Sequence, residues 1–219
     1  LIPVTAAIAE DRGVAAVVAS YSGRLASRLS AVVGRSRVLL DGERERVRTR
    51  ETTLGNFITD LMREATQTDV ALTNSGSLRA SIGAGQVTYG DVLTALPFNN
   101  TIVSVEVPGR TLRAALDYSA SLDPAEVNGA FLQVSGLSYA IENRRAVDVR
   151  VAGAPLDDER VYTVALPDFL LVGGDGYGMF APAARKRVDT GIVLNGLVLD
   201  FLRKGKEADP RIEGRIVRR

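Results

Sequence analysis

The sequence predicts an α+β domain that follows a helical segment at the amino-terminal end of the chain. Apolar residues recur at helical spacing over residues 7–33, and they alternate with polar residues over Thr101–Val107, as in a half-buried strand. Further strands are predicted at Leu132–Ile141, Ala146–Val151 and Val161–Leu166. Because no repeat, linker or low-complexity tract divides the chain, we expect one compact domain.

In the first half of the chain, a glycine and a dense run of charge separate two predicted helices. Gly34 is expected to cap the C-terminal end of the first helix, and Val38–Leu40 to form a short strand. The run Glu43–Glu51 is dense in arginine and glutamate, which is typical of a solvated connector. From Thr52 onward, a stripe of apolar residues predicts a second, amphipathic helix.

The remaining elements are predicted from short apolar runs bounded by turn residues. Pro97 and the pair Pro108-Gly109 mark two of the breaks between them. In chain order, the elements are a buried strand at Asp69–Thr73, a strand at Gln86–Tyr89, a helical turn at Asp91–Leu96, a helix at Thr111–Ala120, a helix that includes Ile192, Val193 and Phe201, and a closing strand at Arg215–Val217.

Two absences from the composition exclude whole classes of chemistry, because the 219 residues include no histidine and no cysteine. Without histidine there can be no Ser-His-Asp or Cys-His catalysis. Without cysteine there can be no disulfide, thiolate nucleophile, Fe–S cluster or zinc–thiolate site. Carboxylate-only Mg²⁺ or Ca²⁺ sites remain open, as does catalysis by lysine, tyrosine or carboxylates. The formal net charge of +1 gives no field that would hold nucleic acid or an anionic membrane.

Neither a targeting signal nor a membrane span is predicted. The apolar start Leu1–Ala9 is short and is followed at once by Glu10, Asp11 and Arg12. No window reaches the roughly 18 uncharged apolar residues that a membrane span needs. Because the chain does not begin with methionine, we expect it to be a fragment or a processed product.

Three loops carry side chains that could contact a ligand. Asn74–Arg79 follows a buried strand, with small residues that would let a ligand approach backbone N–H groups and an arginine that could meet an anion. Leu96–Asn100 places a phenylalanine beside two amides, and Pro167–Tyr177 places another near a carboxylate framed by glycines. Turns of small residues and buried loop phenylalanines are common, so each loop alone indicates little. With six phenylalanines, six tyrosines and no tryptophan in the chain, two loop phenylalanines invite a joint explanation.

Taken together and in order, six segments resemble the C-terminal domain of 5′-nucleotidases, a family that includes UDP-sugar hydrolases and ecto-5′-nucleotidases. The segments are Arg48–Asn56, Asn74–Arg79, Thr88–Asp91, Leu96–Asn100, Gly129–Gly136 and Gly173–Tyr177. The resemblance implies a layered α/β/β/α sandwich at residues 37–219. It implies that residues 1–36 are a helical connector from a missing N-terminal metallophosphoesterase domain.

In this family the N-terminal domain carries two divalent metal ions and the catalytic histidine, and the C-terminal domain binds the nucleotide. The resemblance therefore implies a parent phosphoric monoester hydrolase of nucleotide catabolism. This chain would supply no catalytic residue, metal ligand or cofactor, and it would be inactive alone. Its partners would be a nucleotide or nucleoside and the N-terminal domain of the same parent chain. The family also implies a periplasmic, cell-wall-associated or extracellular location.

The substrate-binding roles of the family carry over to matching positions of this sequence. Phe98 and Phe169 match the two rings that sandwich the base, and Asp175 matches the carboxylate that accepts hydrogen bonds from the ribose hydroxyls. Arg48, Asn74 and Arg79 match the polar set that reaches toward ribose and phosphate. Gly129 matches a backbone contact, and Asn100 matches an amide near the edge of the base.

One loop departs from the family pattern, and two alternative functions remain. Ser75 and Ser77 stand where the family usually has glycine, so their side chains could reshape the loop or narrow the range of substrates. The alternatives are a stand-alone nucleoside-binding module and a domain of a thiosulfohydrolase-like relative with a non-nucleotide substrate. Phe98, Phe169 and Asp175 argue against the second alternative, because a ligand without a base needs no paired rings.

Overall fold

The computed structural model describes Thr5 and residues 8–219, without the side chain of Arg24, and Leu1–Ala9 therefore lies largely outside the described residues. Within this range the α-helices are α1 (Arg12–Leu29), α2 (Arg44–Val47), α3 (Thr53–Thr66), α4 (Tyr89–Ala95), α5 (Gly109–Ser121), α6 (Asp168–Leu171), α7 (Phe180–Ala183) and α8 (Leu194–Arg203). The strands are β1 (Val32–Ser36), β2 (Val70–Asn74), β3 (Gly85–Thr88), β4 (Thr101–Pro108), β5 (Leu132–Ser135), β6 (Leu137–Glu142), β7 (Arg145–Val151), β8 (Ala154–Pro155), β9 (Val161–Pro167), β10 (Arg185–Val193), β11 (Glu207–Ala208) and β12 (Ile216–Arg218).

A five-stranded mixed sheet in the order β10-β4-β9-β2-β5 forms the centre of the fold. β2 and β9 run parallel to each other, and β5 and β4 pair antiparallel on either side of them. Two smaller sheets in the described part of the chain have the orders β11-β1-β3 and β12-β6-β7-β8. The ends of β2 and β9 therefore lie at the same edge of the central sheet as the beginnings of β4 and β5.

Apolar side chains cover both faces of the central sheet. In β2, Val70 and Leu72 belong to one core cluster, while Ala71 between them belongs to the other, as the twofold alternation of a strand requires. The first cluster joins the sheet to α5 and to the four-stranded sheet, and the second joins it to α3, α4 and α8. This layered arrangement of helices and sheets confirms the predicted α+β sandwich.

The first helix is shorter than predicted, and a strand replaces its expected end. α1 ends at Leu29, and residues 32–36 form β1, which pairs with β3 and β11. Gly34 is a strand residue and not a helix cap, because its backbone lies against α8, where an added side-chain carbon would come 2.7 Å from Leu202 Cβ. The connector predicted at residues 1–36 thus overlaps a strand of the fold. Neither α1 nor any other described helix is long and apolar enough to cross a membrane.

One predicted strand is divided between two sheets. The apolar run Leu132–Ile141 forms β5 and β6, and the chain crosses from the central sheet to the four-stranded sheet between them. Gly136 at the crossing has a φ of +76° and packs against the backbone carbonyl of Asp69. Glycine is the residue that takes both this conformation and this close approach without strain.

At two other places the prediction of strands was wrong. β10 was not predicted, and Ile192 and Val193 belong to its end and not to the last helix. It is an exposed edge strand with a charged beginning, so its sequence lacks the alternation of a half-buried strand. In the predicted strand Val38–Leu40, only an isolated bridge between Leu40 and Ile82 is present within the described residues.

The charged run Glu43–Glu51 is not a solvated connector, contrary to its interpretation from the sequence. It contains α2 and then turns into the protein, where Val47, Arg48 and Glu51 are all buried. The Glu51 carboxylate accepts hydrogen bonds of 2.7 Å from the backbone N–H groups of Glu213 and Arg215. These donors lie far away in sequence, so the charge pattern of the run alone could not show them.

Candidate functional site

A cleft of about 290 Å³ opens at the edge of the central sheet where β2 and β9 end and β4 and β5 begin. The loops at these four strand ends form its walls, together with the segment after α2. The structure brings all the residues predicted from the sequence to this one cleft: Arg48, Asn74, Arg79, Phe98, Asn100, Gly129, Phe169 and Asp175. Gly76 and Ser77 also line it, and they belong to a loop whose small residues had already indicated close contact with a ligand.

Two phenylalanine rings in the cleft are partly open to solvent. Phe98 lies in the loop between α4 and β4 and is 47% exposed, and Phe169 lies in α6 and is 39% exposed. The Asp168 carboxylate accepts a hydrogen bond of 2.8 Å from Thr101 Oγ1 and another of 2.8 Å from the backbone N–H of Phe169. These bonds tie the start of α6 to the end of the loop that carries Phe98. Neither ring fills the core, so both offer apolar surface to a ligand.

The carboxylate of Asp175 is held in place through both its side chain and its backbone. Asn74 Nδ2 donates a hydrogen bond of 2.7 Å to Asp175 Oδ2, and the Tyr118 hydroxyl donates one of 3.0 Å to the Asp175 carbonyl. Asp175 has a left-handed backbone with a φ of 53°, which is uncommon for a residue other than glycine. Within the described contacts, the second carboxylate oxygen has no partner in the protein and is free to accept a hydrogen bond from a ligand.

The two serines that depart from the family pattern turn their hydroxyl groups into the protein. Ser75 Oγ donates to the Gly129 carbonyl at 3.1 Å, and Ser77 Oγ donates to Asn74 Oδ1 at 2.7 Å. The backbone N–H of Gly76 also donates to the Gly129 carbonyl, at 2.7 Å. The serines therefore brace the loop, and Asn74 keeps the orientation that it needs to bind Asp175.

Two arginines give the cleft an excess of positive charge over the single Asp175. Arg48 is 9% exposed, and its Nη1 atom donates to the Val127 carbonyl at 3.1 Å. Burial, together with the charges of Arg44 and Arg79, holds the pKa of Arg48 below its ordinary value, while Asp175 opposes this shift. Among the described residues, the buried Nε atom of Arg48 has no hydrogen-bond partner. An anionic group in the cleft would offset the repulsion between the arginines.

The described residues contain no group of three or more histidine, cysteine, aspartate or glutamate side chains that could hold a metal ion. Asp175 is the acidic side chain among the residues that line the cleft. A single carboxylate with two arginines is a poor donor set for a divalent cation and a suitable one for a ligand with both hydroxyl and anionic groups. The expectation that metal ions bind to another domain stays a prediction.

Comparison with known proteins decides the family. The model of the family described as "5'-nucleotidase, C-terminal domain" matches residues 32–182, which is well over half of the chain. The chain belongs to this family. The resemblance inferred from the six sequence segments is therefore confirmed, and every residue that lines the cleft falls inside the matched range.

Larger proteins contain domains similar to this 5′-nucleotidase C-terminal domain. The trifunctional nucleotide phosphoesterase protein YfkN of Bacillus subtilis is 37% identical over 199 residues, which cover 84% of this chain and 14% of that protein. A 5′-nucleotidase of Vibrio vulnificus is 32% identical over 203 residues, which cover 92% of this chain and 36% of that enzyme. The crystal structure of a 5′-nucleotidase precursor from Thermus thermophilus is 37% identical with a TM-score of 0.86, and the match covers 95% of this chain and 43% of that one. The chain thus spans less than half the length of each of these relatives.

In this 5′-nucleotidase C-terminal domain, the substitution Gly174→Ala should displace the Phe169 ring without unfolding the protein. The added methyl group would come 2.5 Å from the ring, and the ring is exposed enough to rotate away. We expect the ring-proton NMR signals of Phe169 to shift, and the melting temperature to change by less than about 2 °C. Gly178→Ala is the matched control, because its added methyl group would meet nothing within 4 Å. Unchanged Phe169 signals in Gly174→Ala would contradict the described packing.

Proposed function

We propose that this chain is the nucleotide-binding domain of a two-domain 5′-nucleotidase-type phosphohydrolase, in which Phe98 and Phe169 clamp the base. The observation that carries the proposal is the presence of two partly exposed rings, one carboxylate and two arginines in a single cleft. Stacking on an aromatic side chain is worth about 1–3 kcal/mol per base and tolerates different bases. The domain would therefore accept more than one nucleotide.

The polar groups of the cleft divide between the ribose and the phosphate of the bound nucleotide. The free oxygen of Asp175 accepts hydrogen bonds from the ribose hydroxyls, with Asn74 holding the carboxylate in place. Arg48 and Arg79 bind phosphate oxygens, which suits the forked geometry of the guanidinium group. Asn100 contacts the edge of the base through its amide. The cleft volume of about 290 Å³ fits a single small ligand of this kind.

Hydrolysis in the parent protein is assigned to an N-terminal metallophosphoesterase domain that carries two divalent metal ions. The residues of this chain bind the nucleotide and orient its phosphate toward that domain, which lowers the entropic cost of reaching the transition state. The short match to the longer relatives supports this division of labour. A periplasmic, cell-wall-associated or extracellular location belongs to the same proposal and rests on the family alone.

Two other functions compete with this proposal. A stand-alone nucleoside-binding module would use the same cleft and would differ in having no hydrolase domain. A thiosulfohydrolase-like relative would have a substrate without a base, and the two open phenylalanine rings disfavour it because nothing would stack on them. Titration with one ligand that has a base and one that lacks it distinguishes the thiosulfohydrolase-like alternative from the proposal.

Calorimetric titration of the 219-residue chain should show weak binding of adenosine, AMP and UDP-glucose. We expect dissociation constants on the order of 0.1–10 mM, because the metal ions that would hold the phosphate are not on this chain. AMP should bind more tightly than adenosine, since Arg48 and Arg79 contact its phosphate. The same AMP samples should release no inorganic phosphate.

Ribose 5-phosphate is the control ligand, since it keeps the sugar and the phosphate and lacks the base. We expect it to bind about tenfold more weakly than AMP, or weaker still. A folded chain that binds no nucleoside, or that binds ribose 5-phosphate as well as AMP, would contradict the base clamp and favour the thiosulfohydrolase-like alternative. Release of phosphate from AMP by the pure chain would contradict the assignment of hydrolysis to another domain.

A further inference from the structure

Behind the wall of the cleft that carries Arg48 lies a fully buried glutamine. Gln133 is on β5, paired with Thr73 of β2, and its side chain is 0% exposed. Its Nε2 atom donates to the Val47 carbonyl at 2.8 Å and to the Arg50 carbonyl at 2.7 Å. Its Oε1 atom accepts from the backbone N–H of Thr52 at 3.2 Å. Every hydrogen bond described for this carboxamide therefore goes to the backbone on either side of Arg48.

The first turn of α3 is shaped to admit this side chain. A carbon added at Gly55 would overlap the Oε1, Cδ and Cγ atoms of Gln133. Glycine at this helical position lets the backbone of α3 pack directly on the carboxamide, at a cost in helix propensity relative to alanine. The glutamine thus fixes the segment from Val47 to Thr52 against β5, which follows Gly129, and against the paired strand β2, which ends at Asn74.

Few polar contacts orient the buried side chain of Arg48 in the cleft. Burial and the nearby charges of Arg44 and Arg79 disfavour its charged form while Asp175 favours it, and its Nε atom lacks a hydrogen-bond partner among the described residues. Among the described residues, its one side-chain hydrogen bond goes to the carbonyl of Val127. The backbone around Arg48, which Gln133 holds through three hydrogen bonds, therefore helps to place its guanidinium group.

We infer that Gln133 is a positioning residue that aims Arg48 at the anionic part of the bound nucleotide. Gln133 is not among the residues that line the cleft, so it acts through the segment that it binds and not through the ligand. The inference rests on the proposed function for the identity of the ligand. The placement of Arg48 itself can be measured without any ligand.

Substituting Gln133→Met removes all three hydrogen bonds while nearly conserving the volume of the side chain. In the 219-residue chain, AMP affinity should fall about tenfold, which corresponds to the loss of one hydrogen bond to a charged group, while adenosine affinity changes less than about twofold. The double variant Gln133→Met/Arg48→Met should bind AMP no more weakly than Arg48→Met alone, since a positioning residue has no effect once the charged group that it positions is gone. Equal losses for AMP and adenosine, or additive effects in the double variant, would overturn the inference.

A second readout is independent of nucleotides. The buried Nε–H of Arg48 should give a slowly exchanging signal in a proton–nitrogen NMR spectrum, identified by its absence from Arg48→Lys. In Gln133→Met this signal should shift and exchange faster, and an unchanged signal would overturn the inference even if nucleotides bind. If the wild-type chain binds no nucleotide, the proposed function fails, while this signal still decides whether Gln133 places Arg48.

A second substitution keeps the test decisive if Gln133→Met does not fold. Gly55→Ala leaves the glutamine in the sequence but pushes its carboxamide off the segment, and alanine is favourable in a helix. We expect the same pattern, with AMP weakened about tenfold, adenosine nearly unchanged and the Arg48 signal altered. Normal AMP binding together with a normal Arg48 signal in this variant would overturn the inference.

Discussion

Replacing Phe169 with alanine should weaken the binding of adenosine by about 5- to 150-fold, the equivalent of losing one base-stacking contact. The same loss is expected for Phe98→Ala, because both rings are partly exposed in the same cleft. Neither substitution opens a cavity in the core, so the melting temperature should change by no more than about 2 °C. Calorimetry with adenosine and a thermal melt of each variant would measure both quantities.

Val172→Ala is the control for these variants. Val172 follows α6 directly and is 72% exposed, yet it does not line the cleft. We expect its affinity for adenosine to equal that of the wild type. Adenosine affinity that survives in Phe169→Ala and Phe98→Ala would show that the base does not lie between the two rings.

Removing the carboxylate of Glu51 should lower the free energy of unfolding by roughly 2–4 kcal/mol, because several polar groups lose their acceptor together. The backbone N–H groups of Glu213 and Arg215 donate to this carboxylate, as does Nδ2 of Asn56. Urea denaturation of Glu51→Ala would measure the loss. Amide hydrogen exchange should speed up at residues 213–216, since the carboxylate holds this part of the chain against the segment between α2 and α3.

An exposed glutamate provides the comparison for Glu51. The side chain of Glu159 is 82% exposed and pairs with Arg110 on the surface. Exposed ion pairs contribute about 0–1 kcal/mol, so Glu159→Ala should unfold almost as the wild type does. If Glu51→Ala were as stable as Glu159→Ala, the buried carboxylate would not be what fastens the end of the chain.

The residues that line the cleft were the easiest part of this domain to predict from the sequence. The glycines and phenylalanines of the loops Asn74–Arg79, Leu96–Asn100 and Pro167–Tyr177 are unusual locally, and the resemblance to a family gave several residues of these loops a role. The structure brings these loops together because they lie at neighbouring strand ends. Their spatial order could not be derived from local patterns, since strand order depends on pairings between distant segments.

The role of the charged run Glu43–Glu51 was not predictable for a related reason. Arginine and glutamate in a short run are usually solvated. Parts of this run are buried because their partners come from segments distant in sequence. From β5, Gln133 donates hydrogen bonds to backbone carbonyls of this run. From near the C-terminal end, the backbone N–H of Arg215 donates to the carboxylate of Glu51, the last residue of the run. Glycines are ambiguous in the same way, as Gly34 shows, because a cap and a close approach to another element look alike in sequence.

Most side chains that line the cleft lie in the segments between strands, while the paired strands below them contribute hydrogen bonds and apolar packing. Substitutions in those segments can therefore change what the cleft accepts at little cost to the pairing of the strands. Ligand selectivity can therefore diversify among proteins that share this scaffold, because the residues that vary are not the ones that hold the strands together.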